Sequence, residues 1–386
     1  MMQLTSFGQT KEMQKSVQRK TLLFVGPKPP PIGGSPLTVL AMLEELAEYS
    51  SVQVVLINTS PATDVRREMA GFKFEKVIRS FAILPKYIYE IPRCDAVLVF
   101  ANDLFAITLA PFLLFVARLF HKPFYLKPVG AGLDLFIKAQ KKIFQNYLLH
   151  VLRATTGILT QTNLLKDDLS KLGCPNAYYI PGCRSFAHVT PEQRDGSDDF
   201  RIIFLGHITR QKGPLFLIDA VKTLGQICDR PVTCDFYGPI VNDVRCDFLD
   251  ALKVMPNVHY CGVAEPGAGP QIIAKYDALI LPTYYETEGH PGVLIEAMHA
   301  GVPAIATQIR TLSELIKDGV NGFLVPTQDS RALAEAIKKL AMDPPLQKKM
   351  ALANHQKGQE FRADVVVKEL LRIVFPEIVH EQLQKI

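Results

Sequence analysis

An α/β fold of two facing, doubly wound domains with parallel sheets is predicted by three features of this 386-residue chain. Short apolar runs alternate with amphipathic helical stretches along most of the sequence, the pattern of parallel strands covered by helices on both faces. The opening unit is an apolar run TLLFVG (residues 21–26), a glycine-bearing loop and a helix. It is repeated as FRIIFLG (200–206), a basic loop and another helix. Between the repeats, AHVTPEQRDGSDD (187–199) is the most polar and turn-rich stretch of the chain and reads as a linker. The expected order is a mobile basic leader (1–20), a Rossmann-like first domain (21–186), the linker (187–199), a Rossmann-like second domain (200–362), and a final helical segment (363–386) packing back on the first domain.

In chain order, the run 21–26 is a buried strand ending in glycine. The loop PKPPPIGG follows. Its Gly33–Gly34 pair precedes a helix over 37–49, with Leu40, Leu43 and Leu46 at helical spacing. Bare backbone at a strand-to-helix turn allows an anion to approach. Further strands are predicted at 52–57, 96–100, 123–126 and 157–161. The longest apolar stretch, 104–120, is interrupted by Pro111 and Arg118 and reads as a buried helix, since a membrane span needs about 20 apolar residues. VGAGLD (129–134) holds a lone G-x-G with Leu135 where a third glycine would stand, weak grounds for a dinucleotide site. The stretch 136–153 is a basic amphipathic helix. Ile143, Phe144, Tyr147, Leu148 and Val151 form its apolar face and Lys138, Lys141, Lys142 and Arg153 its charge, a pattern that suits a core-facing helix or a face resting on anionic lipid. In the second half, strands are predicted at 233–237, 258–261, 278–281 and 303–307, and helices at 214–224, 331–340 and 364–373.

Composition narrows the partners. Apolar residues make up 48% and charged residues 21% of the chain, the range of a globular protein. A net charge of +5 suits anionic ligands or an anionic membrane surface and falls short of a nucleic-acid-binding signature. The seven cysteines are scattered without a C-x-x-C pair, which argues against a zinc site or disulfide framework and for a reducing cytosol. The first twenty residues lack the apolar core of a secretory signal.

The segment 278–307 concentrates the chemistry. A buried strand leads into a polar aromatic loop, Gly-His-Pro-Gly opens a helix, and Glu288 and Glu296 bracket the junction. Unpaired N–H groups and the dipole at a helix start seat a phosphate. Carboxylates beside that seat would repel the phosphate but would accept paired hydroxyls flanking it. A ligand with a diphosphate at its centre and polyols at both ends is a nucleotide sugar.

Four motifs in order carry a more specific reading: GPKPPPIGG (26–34), FLGHITRQKGPLFLIDA (204–220), EGHPGVLIEAMHAGVPAIAT (288–307) and LIKDGVNGFLVPTQD (315–329). Together, over residues 22–372, they resemble GT-B glycosyltransferases of the large family 4 type, the glycosyl transferases group 1. The resemblance implies a retaining, hexosyl-type transfer from a nucleotide sugar, UDP-sugar before GDP-sugar, to a glycan, glycolipid or polyprenyl-linked acceptor. Surface polysaccharide or glycoconjugate biosynthesis is the implied setting, in the cytoplasm or peripherally at the inner face of the membrane. No cofactor or metal is expected. Glu288, Lys212 and Arg210 would act at the reacting centre. Gly33, Gly34, Gly206, His207, Gly289, His290, Gly292, Val293, Leu294 and Glu296 would bind the donor, with Glu288 on sugar hydroxyls and Glu296 on the ribose diol. Gly130, Asp134 and Arg184 would lie on the acceptor side.

The sequence departs from the family pattern in three places. His207 stands where arginine is usual, and an unperturbed histidine is charged only below about pH 6.5. The first domain offers Lys127 and Asp134 where a cleft histidine is usual. IPGCRS (180–185) replaces Pro-Asn-Gly, so that Arg184 either points into the cleft or caps the linker. A nucleotide-sugar epimerase or hydrolase shares the two-domain architecture and stays an alternative, and His207 with the missing first-domain histidine leaves open a binding protein without turnover.

Overall fold

The computed structural model describes residues 19–30, 33–60, 81–185 and 199–378. Most of the expected leader and linker, and the last eight residues, lie outside this set. So do Pro31 and Ile32 of the first loop.

Two six-stranded sheets are present, parallel throughout. The first contains β1 (Lys20–Gly26), β2 (Val52–Asn58), β3 (Ala96–Ala101), β4 (Phe124–Pro128), β5 (Gly157–Thr160) and β6 (Ala177–Tyr179), in the order β2-β1-β3-β4-β5-β6. The second contains β7 (Phe200–Leu205), β8 (Val232–Tyr237), β9 (Val258–Tyr260), β10 (Ala278–Leu281), β11 (Ala304–Thr307) and β12 (Gly322–Val325), in the order β12-β11-β10-β7-β8-β9. Each sheet reverses its winding once, between β1 and β3 and between β7 and β10. Ligands of open α/β sheets bind beyond the carboxyl ends of strands at such points.

Alternate side chains of each strand enter opposite layers. In the first domain Leu23, Val25, Val97 and Val99 pack under helices that include Ala110–Leu119, Lys142–Arg153 and Asn163–Lys171. Leu22, Phe24 and Leu98 face the other way, against Val39 and Met42 of helix Gly34–Ala47. The same layer is completed by Val367, Leu370 and Leu371 of helix Ala363–Val374, from the far end of the chain. In the second domain Ile202, Phe204 and Ile280 line one layer, and Leu279, Leu281, Leu294 and Met298 line the other.

The domains are joined by two adjacent passes of chain. Arg184 N–H donates to Phe361 O and Ala363 N–H donates to Arg184 O, each at 3.2 Å.

Some elements differ from expectation. The stretch 136–153 is not one helix. Helix Leu133–Lys138 ends and Lys142–Arg153 begins, and the Gln145 side chain takes the free carbonyls of Lys138 and Gln140 between them. The apolar period runs across the break, which is why periodicity alone joins the two. Likewise 104–120 is two helices, Asp103–Thr108 and Ala110–Leu119, with Pro111 in the first turn of the second, where its missing N–H costs nothing. Nor is that stretch wholly buried, because Phe112, Phe115 and Leu119 are exposed. Among the described residues no helix is long and apolar enough to cross a membrane.

Candidate functional site

The carboxyl ends of β7 and β10, at the reversal of the second sheet, carry the two loops of interest. After β7 a single 3-10 turn, Arg210–Lys212, runs into Gly213 at φ 73°. A side chain at 213 would collide with the Pro282 carbonyl, so only glycine lets this loop lie against the one after β10. Tyr284 N–H donates to Gln211 O at 2.9 Å and ties the two loops together. Lys212 thereby reaches Glu288, and its Nζ donates to the carboxylate. Arg210 turns away from this pair. It is half exposed, and its guanidinium donates to Asp247 Oδ2 at 2.5 Å and to Asp243 O at 2.9 Å.

The loop from β10 ends at Pro291, and helix Gly292–His299 follows without a side-chain cap or an acidic residue in its first turn. Helix Gly34–Ala47, after Gly33, begins in the same state. Both starts leave N–H donors open. Arg184 links the two helices. Its Nε donates to Glu296 Oε1 at 2.7 Å, and its Nη1 donates to Thr38 Oγ1 at 2.8 Å, one turn into the first-domain helix. Of the two readings of Arg184 left by the sequence, the structure shows the side chain buried and pointed between the domains. Gly292 has no room for a side chain because the guanidinium lies there.

Around this centre the domains touch closely. Ala131 N–H donates to Thr287 O at 3.1 Å, and the absence of a side chain at Gly132 lets Thr287 approach. The G-x-G of residues 130–132 is therefore an interdomain contact surface. Gly130 N–H is taken by Gln161 Oε1 at 3.2 Å. Asp134 is fully buried and ion-paired with Lys138 at 3.0 Å and with Arg310 at 3.0 Å, and Arg310 also reaches Asp168 at 2.6 Å. Burial pushes the Asp134 carboxyl up, but hydrogen bonds from Arg310 and Lys138 outweigh it and hold it below the usual carboxylate range. Glu314 accepts from the backbone N–H groups of Asn163 and Leu164, both at 2.8 Å, so a second-domain carboxylate caps a first-domain helix.

His290 is buried edge-on to Tyr179 and Phe361. Burial lowers its pKa more than Glu314, 3.5 Å from Nε2, raises it, which favours the neutral ring. Neither ring nitrogen has a hydrogen-bond partner among the described residues. Lys127, at the end of β4, is buried with Nζ donating to Ile180 O, and burial drives its pKa down to about 7. His207 lies in the loop after β7, where its carbonyl accepts from Thr209 N–H at 3.1 Å, and Gly206 N–H donates to Tyr237 O at 2.9 Å.

The structure thus brings Glu288, Lys212, Glu296, Arg184 and the two helix starts together, and ties Asp134 and Gly130 into the domain contact. Sequence reasoning passed over Arg310, Glu314, Thr38 and Gln161. Arg310 meets Asp134 across 176 residues and Glu314 meets Asn163 across 151. No local spacing announces pairs so far apart.

Residues 190–357 match the family described as glycosyl transferases group 1. Alpha-D-kanosaminyltransferase of Streptomyces kanamyceticus is 29% identical over 163 residues, which cover 41% of this chain and 41% of that enzyme. The match therefore spans about two fifths of that relative's length. Among solved structures, sucrose-phosphate synthase from Thermosynechococcus elongatus has a TM-score of 0.71 at 16% identity, covering 95% of this chain and all of that one. Anabaena HepE, solved in complex with UDP and glucose, has a TM-score of 0.67 at 17% identity, with the same coverage. Identities this low establish shared architecture. Residues 190–357 thus match the glycosyl transferases group 1 family, and the chain that carries them has the two-domain GT-B fold.

Proposed function

We propose that the protein is a glycosyltransferase that moves a sugar from a nucleotide-sugar donor to a hydroxyl of a glycan, glycolipid or polyprenyl-linked acceptor with retained anomeric configuration. The observation that carries the reading is the meeting of two uncapped helix starts, one from each domain, beside Glu288–Lys212 and Glu296. Each feature answers a part of the donor. The helix starts and Lys212 suit the diphosphate, Glu296 the ribose diol, and Glu288 the sugar hydroxyls. As the glycosidic bond breaks, negative charge grows on the diphosphate, and donors fixed beforehand around it lower the barrier. A uridine donor is supported by the likeness to HepE, solved with UDP and glucose. Lys212 would neutralise the diphosphate in place of a metal, so activity without added metal is part of the proposal.

A lipid-linked acceptor and a peripheral place on an anionic membrane are supported by helix Lys142–Arg153. It leaves Ile143 87% exposed, with Phe144 and Tyr147 also exposed, beside Lys141 and Lys142.

The test is nucleoside diphosphate release from UDP- and GDP-sugars, with and without extracts containing acceptor, and with a chelator in parallel. Acceptor-dependent release of UDP, unaffected by chelator, is expected. Binding of UDP with no release under any condition would favour the non-catalytic alternative, and a rearranged or hydrolysed sugar the epimerase or hydrolase one.

A further inference from the structure

We infer that Arg184 is a ligand of the donor diphosphate, held in place by Glu296, and not an acceptor-side residue. The inference rests on the nucleotide-sugar reading above. Of the three nitrogens of its guanidinium, Nε is committed to Glu296 at 2.7 Å and Nη1 to Thr38 at 2.8 Å and Cys183 O at 3.0 Å. None of these bonds uses Nη2, which lies against Gly292, the first residue of helix Gly292–His299.

This placement is electrostatically one-sided. A helix start carries about half a positive charge, which repels a cation. Here a buried guanidinium sits on such a start, and it is bonded to a second helix that also begins without a cap or an acidic residue. Glu296, a turn further along the same helix, supplies one compensating charge. The remaining field is positive and suits a doubly charged diphosphate. His290, immediately before this helix, is buried with Nδ1 lacking a hydrogen-bond partner among the described residues, while its Nε2 faces Glu314 at 3.5 Å.

The fork geometry of arginine explains why this residue serves. Nε can stay on Glu296 while Nη2 donates to a phosphate oxygen. Glu296 keeps acceptor sites for the ribose, because an ionised carboxylate has about four lone-pair positions. Arg184 then joins ribose and diphosphate recognition into one unit, and it brings a cation to the donor in a chain where His207 replaces the usual arginine and Arg210 is bound to Asp247.

The experiment is calorimetric titration of the full chain with UDP and, separately, with uridine, which keeps the ribose and lacks phosphate. Arg184→Ala is expected to weaken UDP binding about 10- to 100-fold while changing uridine binding less than about threefold, and Arg184→Lys to recover part of the loss. Arg184→Gln, whose amide can still donate to Glu296 but which lacks the charge and the Nη groups, should behave as Arg184→Ala does and covers the case in which the alanine variant fails to fold. UDP affinity within twofold of wild type would overturn the inference, and so would an equal loss for uridine and UDP, since Arg184 would then merely support Glu296. If the wild-type chain itself binds neither UDP nor GDP, the nucleotide-sugar reading fails first and takes this inference with it.

Discussion

Glu296 gives Oε1 to Arg184 and packs its other oxygen beside Gly269, where a side chain would not fit. Its acceptor capacity is only part used, so a ribose diol can bind without breaking the pair. Glu296→Ala is expected to weaken both uridine and UDP binding by about 1–3 kcal/mol, the cost of leaving buried polar groups unpaired; unchanged affinities in calorimetry would remove Glu296 from the site. Lys127 makes a different prediction. Its folded pKa of about 7 lies below the ordinary 10.5, so between those values the unfolded chain binds more protons than the folded one. Stability therefore rises with pH across that window. Relative to Lys127→Met, which lacks the titration, the wild type should be less stable at pH 7, by ~5 kcal/mol at most from the size of the shift. Most of that gap should close by pH 10, and denaturant melts at both pH values would show it. Cys183, which faces Lys127 and is itself pushed up to about 12 by burial, stays neutral across the window.

Strands and junctions of the fold were legible because burial on both faces forces continuous apolar runs. The predicted 52–57, 96–100 and 278–281 fall within β2, β3 and β10 with shifts of a residue or less. Two short edge strands, β6 and β12, escaped for physical reasons, whereas the edge strand β9 was predicted at 258–261. β6, with the sequence Ala-Tyr-Tyr, is only half buried, and β12 begins on glycine. Helix Pro344–Gly358 opens on two prolines and buries only scattered positions, so it shows no clear stripe. Of the site, Glu288, Glu296 and Lys212 were readable from their places at loop-to-helix junctions, whereas their internal partners were not. At this scale the exposed face of helix Lys142–Arg153 makes its own prediction. Ile143, Phe144 and Tyr147 lie over the same layer of the first sheet as the exposed Phe115 and Leu119. The chain should sediment with anionic liposomes at low salt and be released at high salt. Ile143→Ser with Tyr147→Ser should reduce sedimentation while leaving stability within roughly 0.5 kcal/mol per site, as for surface changes. Equal sedimentation of the variant would exclude this face.

Across the whole molecule, Arg310 fastens the second domain to Asp134 and Asp168 of the first. Arg310→Ala removes one partner of a buried carboxylate. A broken buried pair costs about 3–5 kcal/mol, and the partial exposure of Arg310 brings the expected loss down to about 1–3 kcal/mol. Because the Asp134 carboxyl is held below its usual range, this contribution is present above about pH 4 and fades as pH falls further. The variant should also show a larger radius of gyration by small-angle scattering, reduced again by UDP, and an unchanged radius would assign the closed arrangement to other contacts.

The last helix carries a consequence for biogenesis. Helix Ala363–Val374 covers one face of the first sheet with Val367, Leu370 and Leu371. A ribosome delivers that sheet early, adding roughly 5–20 residues per second, yet this helix emerges only after the second domain has been made. The first domain is synthesised well before the helix that completes it, and throughout that interval the part of the Leu22, Phe24 and Leu98 face that Val39 and Met42 leave uncovered is an apolar surface for chaperones to hold.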